Sequence, residues 1–286
     1  MPDLPIRLLA LDIDGTIVGE DLVLHERTIR AIAEAQRMGV IVSIVTGRMT
    51  SSAAGFARQL GLTGPIVGYQ GALARRLPVD GERGLGRILW HRPLSTDVAR
   101  RIVRWTRAAG LEPHFNDLES LVLPFDEPRA DDYSAFVGGR LTRVPDLESW
   151  LDGRATVTKV IAVGDGSHPR RVYPAAVEEF GRVSEVTISH PRFLEFVAPG
   201  VTKGAALARL ARRDRIPMGQ VMAIGDQLND LEMIAAAGHG VAMGNAPAEV
   251  RAVARYVAGD VDAQGAARMI EELVLDGRVP TVAPGR

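Results

Sequence analysis

Cysteine is absent from this chain of 286 residues. That excludes disulfides, thiolate catalysis and cysteine-ligated zinc, and it leaves hard oxygen donors as the metal chemistry open to the protein. An excess of charge of one sign is also missing. The 34 Lys and Arg against 35 Asp and Glu leave a net charge of -1 with no long basic run, so the broad positive footprint of a nucleic-acid binder is not there. Any anion site has to be local. No stretch approaches the roughly 20 apolar residues that cross a bilayer, and residues 1–11 carry Pro2 and Pro5 and run straight into Asp12 instead of forming a leader. The expectation is a soluble, cytoplasmic protein with no nucleic-acid or membrane partner. Internal repeats and low-complexity runs are absent as well.

What the chain does have is enough apolar material, 46% of its residues, to bury a sizeable core. Its length exceeds the usual single domain, so two unequal domains are expected. Residues 6–13 form a short apolar run broken by an acid and ended by Gly15, the pattern of a strand buried on both faces of a parallel sheet. A helix over residues 28–38 follows, with Ile29, Ile32, Ala33, Ala35 and Gln36 as its stripe and Gly39 as its stop. Residues 40–45 return to strand, 51–60 to helix and 65–69 to strand. The same alternation resumes with a helix over 203–213, a strand over 221–224, a helix over 230–237 and a strand over 240–243. Between the two blocks lie most of the aromatics, all three tryptophans and many prolines. This reads as an α/β core in residues 1–74 and 192–286 with an inserted α+β domain in 75–191. The insert's elements are strands over 87–90, 120–123, 156–163 and 184–189 and helices over 97–109 and 171–180.

The chemistry collects where apolar strands end. Asp12-Ile13-Asp14-Gly15-Thr16 closes the first strand, and alternation turns both acids one way while Ile13 enters the core. Open parallel sheets bind ligands at the carboxyl ends of their strands. Thr46 and Gly47 close the second strand with a hydroxyl and backbone amides, groups suited to phosphate oxygens. Lys203 stands at a helix start, where its ammonium and the free amides both favour an anion. Gly225-Asp226 through Asn229-Asp230 ends a further strand with two more acids. If these ends converge, each carboxylate pair at about 4 Å repels by about 4 kcal/mol at an effective dielectric of 20. A cation is then required, and magnesium takes oxygen ligands and bridges carboxylates to substrate phosphate.

In this order the motifs resemble those of the haloacid dehalogenase superfamily, and among its members the Cof-type phosphatases, whose cap is inserted after the third core strand. The resemblance covers nearly the whole chain. It implies a core with a Rossmann-like parallel sheet and a cap that selects substrate. It also implies a phosphoric monoester hydrolase in which Asp12 attacks phosphorus to form an aspartyl-phosphate and Asp14 acts as acid and then base. Thr46, Gly47 and Lys203 would hold the phosphoryl group. Mg2+ would be bound by the Asp12 carboxylate, the Asp14 backbone carbonyl and Asp226, with Asn229 or Asp230 in support. The implied partner is a small phosphorylated metabolite (sugar, nucleotide or cofactor phosphate), handled by a monomer or small homo-oligomer. Two departures stand out: Gln70-Gly71-Ala72 replaces the family's Asn-Gly-Ala, and Gln227 occupies a position where Ser or Asn is commoner.

Other readings compete. A sugar-phosphate phosphomutase has a similar cap, and a receiver-like phospho-acceptor switch also gathers acids, a Thr and a Lys around magnesium, although receivers are much shorter. Dehalogenation is disfavoured because a halide leaving group needs no acid at Asp14. Asp165, in Val163-Gly164-Asp165-Gly166, imitates the Gly225-Asp226 motif but falls in the insert and reads as a turn acid. His114, Asn116 and Arg192 read as structural or solvated before they read as substrate contacts, and the three tryptophans read as packing residues.

Overall fold

The computed structural model describes residues 5–78, 84–126, 140–154 and 156–277. The chain forms two compact units, one of residues 1–46, 55–66 and 203–286, the other of residues 47–54 and 67–202.

In the first unit, Leu8–Leu11 is the central strand of a parallel set. It pairs with Ile41–Val45 on one side and Val221–Gly225 on the other, and beyond the latter lie His239–Ala242 and Tyr256–Val257. Leu8, Leu9, Ala10 and Leu11 are wholly buried, which is why the run is continuous in apolar character instead of alternating. The chain leaves the central strand toward Ile41 and later returns on the Val221 side. Open parallel sheets place their ligands at the carboxyl edge beside such a reversal of direction.

The helix after the first strand runs Glu26–Arg37 and buries Thr28, Ala31, Ile32 and Ala35. The stripe has the expected period of three and four, but it is turned from the sequence reading: Thr28 and Ala31 replace Ile29 and Ala33. Small side chains allow close approach, and Ile29 is left partly covered. Gly39, at φ +86°, ends the helix as expected. The helix Lys203–Arg213 keeps its expected bounds and buries Ala206, Leu207, Leu210 and Ala211 on one face.

The second unit carries a six-stranded sheet in the order Glu185–His190, Phe193–Val197, Lys159–Val163, Glu112–Asp117, Ser120–Pro124, Arg140–Val144. The helices Thr96–Ala108 and His168–Phe180 cover one face through Ile102, Val103, Ala176 and Phe180. Trp105 and Trp150 pack against the same cluster, and Trp90 is buried with its indole N–H donating to the Gly71 carbonyl at 3.0 Å.

Several strands here differ from the sequence reading. Phe193–Val197, assigned to the returning core by the boundary at 192, is a strand of the second unit, paired to both of its neighbours there. Its Phe193, Leu194, Phe196 and Val197 are buried among residues of that sheet, so the second unit extends to residue 202. Glu112–Asp117 was not expected as a strand at all, because Pro113, His114 and Asn116 interrupt its apolar pattern. Cross-strand pairing to Lys159–Val163 holds it in place. The strand expected over 156–163 is split, since Thr156–Val157 pairs with Leu94–Ser95 and Lys159–Val163 joins the larger sheet. Among the described residues no helix is long and apolar enough to cross a membrane.

Candidate active site

The register of the central strands brings the predicted residues to one edge. Leu11 is level with Ile224 on one side and Ile44 on the other, so the residues that follow each strand emerge together: Asp12, Asp226 and Thr46. The Asp12 backbone N–H donates to the Ile224 carbonyl at 3.1 Å, which continues the ladder up to the acid itself. Ile13 is fully buried, as alternation predicts, while Asp12 is 5% exposed and Asp14 partly exposed.

Lys203 organises the group. Its Nζ lies 2.9 Å from Asp12 Oδ1 and 2.6 Å from Asp230 Oδ1. Asp230 Oδ2 in turn accepts the backbone N–H groups of Asp226 at 3.0 Å and Gln227 at 3.1 Å. Asp230 and Gln227 form a reciprocal capping box around the short turn Leu228–Asp230, so the unexpected Gln227 serves as a cap. One Asp230 carboxylate thus joins the lysine to the Asp226 loop. Asn229 sits half-buried in the same turn.

Asp226 is held from the loop after the first strand as well. The Thr16 hydroxyl donates to its Oδ1 at 3.1 Å. Gly15 has φ +72°, and a Cβ there would collide with the Asp226 carboxylate, so only glycine lets the two loops approach. The side chain of Asn245, which nothing in the motif order marked, donates to the Gly15 carbonyl at 3.0 Å and to Asp226 Oδ2 at 3.4 Å.

Asp12, Asp226 and Asp230 each offer one carboxylate oxygen, and these atoms lie within 4.8 Å of one another. Burial, then the charge of Asp230, pushes the Asp12 carboxyl up from its ordinary 3.8 to about 7, against the pull of Lys203. Burial, Asp12 and Asp230 together push Asp226 well above the carboxylate range. For Lys203, burial favours the neutral amine, but Asp12 and Asp230 outweigh it and hold the ammonium above its usual value. One cation thus faces three buried acids. With all four groups ionised the cluster would carry a charge of about -2, the charge a divalent cation neutralises. The donor set, all hard oxygen, fits such an ion.

A model of the haloacid dehalogenase-like hydrolases matches residues 9–270. The chain belongs to that family. This haloacid dehalogenase-like hydrolase is 28% identical over 272 residues to the 5-amino-6-(5-phospho-D-ribitylamino)uracil phosphatase YitU of Bacillus subtilis, covering 93% of this chain and 96% of the relative. It is 31% identical over 242 residues to the HMP-PP phosphatase of Cronobacter sakazakii, covering 84% and 85% of the two chains. Among solved structures, a haloacid dehalogenase-like hydrolase from Bacteroides thetaiotaomicron superposes with a TM-score of 0.78 at 26% identity over 94% of this chain and 99% of that one. A HAD/COF-like hydrolase from Plasmodium vivax shares the fold, with a TM-score of 0.82 at 24% identity over 96% of each chain.

Gly47 belongs to the second unit of this hydrolase, in a buried polar network that sequence reasoning did not find. Lys159 Nζ donates to the Gly47 carbonyl at 2.9 Å and lies 3.1 Å from Glu195 Oε2. The Gln70 amide donates to the same oxygen at 2.7 Å, and the Ser189 hydroxyl donates to Glu195 Oε1 at 2.6 Å. A Cβ on Gly47 would run into the Gln70 amide, so the departure at Gln70 is matched by this close approach. Tyr69 and Gln70 both adopt left-handed backbone, at φ 54° and 59°, a strained pair that the network holds. His114 and Asn116 lie buried beside these strands, level with Ile161 and Lys159. Arg192 and Asp165 are exposed, and the backbone carbonyl of Asp165 accepts the His168 N–H in a turn.

Breaking this ion pair on one side strands a buried charge, whereas removing both charges does not. Lys159→Met alone is expected to lower the unfolding free energy by about 3–5 kcal/mol. Lys159→Met with Glu195→Leu is expected to recover most of that loss. Urea denaturation of the two variants checks it; equal losses would show the pair to be uncoupled.

Proposed function

We propose that this hydrolase is a Mg2+-dependent phosphatase that cleaves a phosphomonoester of a small metabolite through an aspartyl-phosphate on Asp12. The observation that carries the reading is the buried cluster of Asp12, Asp226 and Asp230 around Lys203, at the carboxyl edge of the central strand. The named activities of the relatives, both phosphatases acting on phosphorylated metabolites, support the same class of reaction.

An Asp12 carboxylate oxygen forms the bond to phosphorus as the ester oxygen leaves with its electron pair. Asp14 supplies the proton that this alkoxide takes up, and then receives one from the water that attacks the acyl-phosphate, releasing inorganic phosphate and restoring Asp12. Lys203, kept charged by its two acids, and the Thr46 hydroxyl with the Gly47 amide hold the phosphoryl oxygens as charge shifts between them. Asp12, the Asp14 carbonyl and Asp226, with Asn229 or Asp230 in support, would hold magnesium, which would supply the positive charge that offsets the carboxylates and the phosphate. The second unit selects the leaving group, and the protein works in the cytoplasm, where such metabolites are found.

The test is release of inorganic phosphate from a panel of sugar, nucleotide and cofactor phosphates, with magnesium and with EDTA. We expect turnover with magnesium and loss of it with chelator. Isomerised sugar phosphate without free phosphate would replace the reading with a mutase, and a long-lived phospho-Asp12 without turnover would replace it with a phospho-acceptor switch.

A further inference from the structure

Asn245 lies at the end of His239–Ala242, beyond every motif that carries the proposed chemistry, and it is an exposed residue. Its side chain nevertheless joins three segments far apart in the chain. The amide nitrogen donates to the Gly15 carbonyl at 3.0 Å and approaches Asp226 Oδ2 at 3.4 Å, and its oxygen accepts the Val261 N–H at 3.2 Å. The peptide before it is fastened too, since the Gly244 N–H donates to the Gly259 carbonyl at 3.2 Å and Arg251 donates to the Gly244 carbonyl at 3.0 Å. A side chain held by its oxygen on a tethered loop has little freedom in where it presents its N–H groups.

We infer that Asn245 is a positioning residue for the cation site: it orients the Asp226 carboxylate and the loop carrying Asp14 for a divalent ion. Asp226 is gripped from two directions. Thr16 donates to Oδ1 and Asn245 reaches Oδ2, so rotation of the carboxylate about its Cβ–Cγ bond is opposed on both sides. The bond to the Gly15 carbonyl fixes the peptide one step beyond the Asp14 carbonyl, the group assigned to the ion in the proposed function. An amide is suited to this task because it donates without adding charge to a cluster already short of cations. Hydrogen-bond partners of ligating carboxylates typically contribute 10- to 100-fold to metal affinity.

The inference rests on the proposed magnesium site, and the experiment separates the two. Magnesium binding to the full chain is measured by titration calorimetry, without substrate, for the parent, Asn245→Ala and Asn245→Ser. The serine hydroxyl is too short to make the same reach. Both variants are expected to raise the magnesium Kd by about 10-fold or more, while the unfolding temperature without metal stays near that of the parent because the side chain is exposed. In turnover assays the defect should appear as a raised magnesium requirement that added magnesium relieves. If the parent binds magnesium and both variants bind it within twofold as well, Asn245 has no positioning part. A variant that loses metal-free stability but keeps its magnesium Kd also overturns the idea, because it reduces Asn245 to a loop tether. If the parent itself takes up no magnesium, the magnesium site fails first and this inference with it.

Discussion

Turnover by Asp12→Asn is expected to fall by a factor on the order of 10^4 or more, with the fold intact, because an amide cannot form the bond to phosphorus. The same substitution carries a second signature that a general loss of structure would not produce. In the metal-free parent, Asp12 binds its proton up to about pH 7 in the native state but only up to about 3.8 when unfolded. Between those values the native state holds more protons than the unfolded state, so this group costs stability as pH rises from about 4 to 7, and the full cost persists above that. The amide of the variant does not titrate, so the contribution of this position to the slope disappears. Lys203 still keeps Asp230 at 2.6 Å. The variant should therefore be no less stable than the parent at pH 8 without metal, while being inactive. Thermal unfolding at pH 5 and pH 8, with and without magnesium, together with phosphate release, checks both halves. Retained turnover would refute Asp12 as nucleophile, and a marked loss of stability at pH 8 would refute the electrostatic account of the cluster.

Lys203→Met should cost both stability and activity. The lysine is wholly buried, and its removal leaves Asp12 and Asp230 in the interior without their cation. One-sided loss of a buried ion pair costs about 3–5 kcal/mol, a large share of the roughly 5–15 kcal/mol that holds a domain folded. Adding Asp230→Asn to the same chain should return part of that stability, because one stranded charge is removed and the amide oxygen still accepts from the Asp226 or Gln227 N–H. Activity should not return. Urea unfolding curves and phosphate release for the single and double variants separate the two effects. An unfolding free energy for Lys203→Met within about 1 kcal/mol of the parent would mean that the cluster is hydrated and not buried as described.

Much of the candidate site's convergence was legible because its residues sit at the ends of strands that local patterning already reveals. Asp12, Thr46 and Asp226 follow runs such as Leu8–Leu11 and Val221–Gly225, whose continuous apolar character marks them as central strands. Parallel register then forces those ends to a common edge. Lys203 was found for a similar reason, as the first residue of a helix with an unmistakable stripe. Asn245 was not legible, since it lies on an exposed loop with no periodicity, and a lone Asn after a glycine reads as a turn. Lys159 and Glu195 were hidden for a different reason: a charged residue in an apolar strand signals an interruption, and nothing local says that two such interruptions will face each other. Glu112–Asp117 was missed because its pairing partner, not its own composition, makes it a strand.

The order of apolar runs and their polar stops was sufficient to determine the alternating strands and helices, the glycine at position 15 and the acids that follow the sheet, because backbone period and burial are properties of neighbouring residues. Folding in three dimensions decided which acid shares the lysine, which amide grips Asp226, and where the second unit ends. Those outcomes depend on distances between segments up to 230 residues apart, and such distances exist only once the strands have paired.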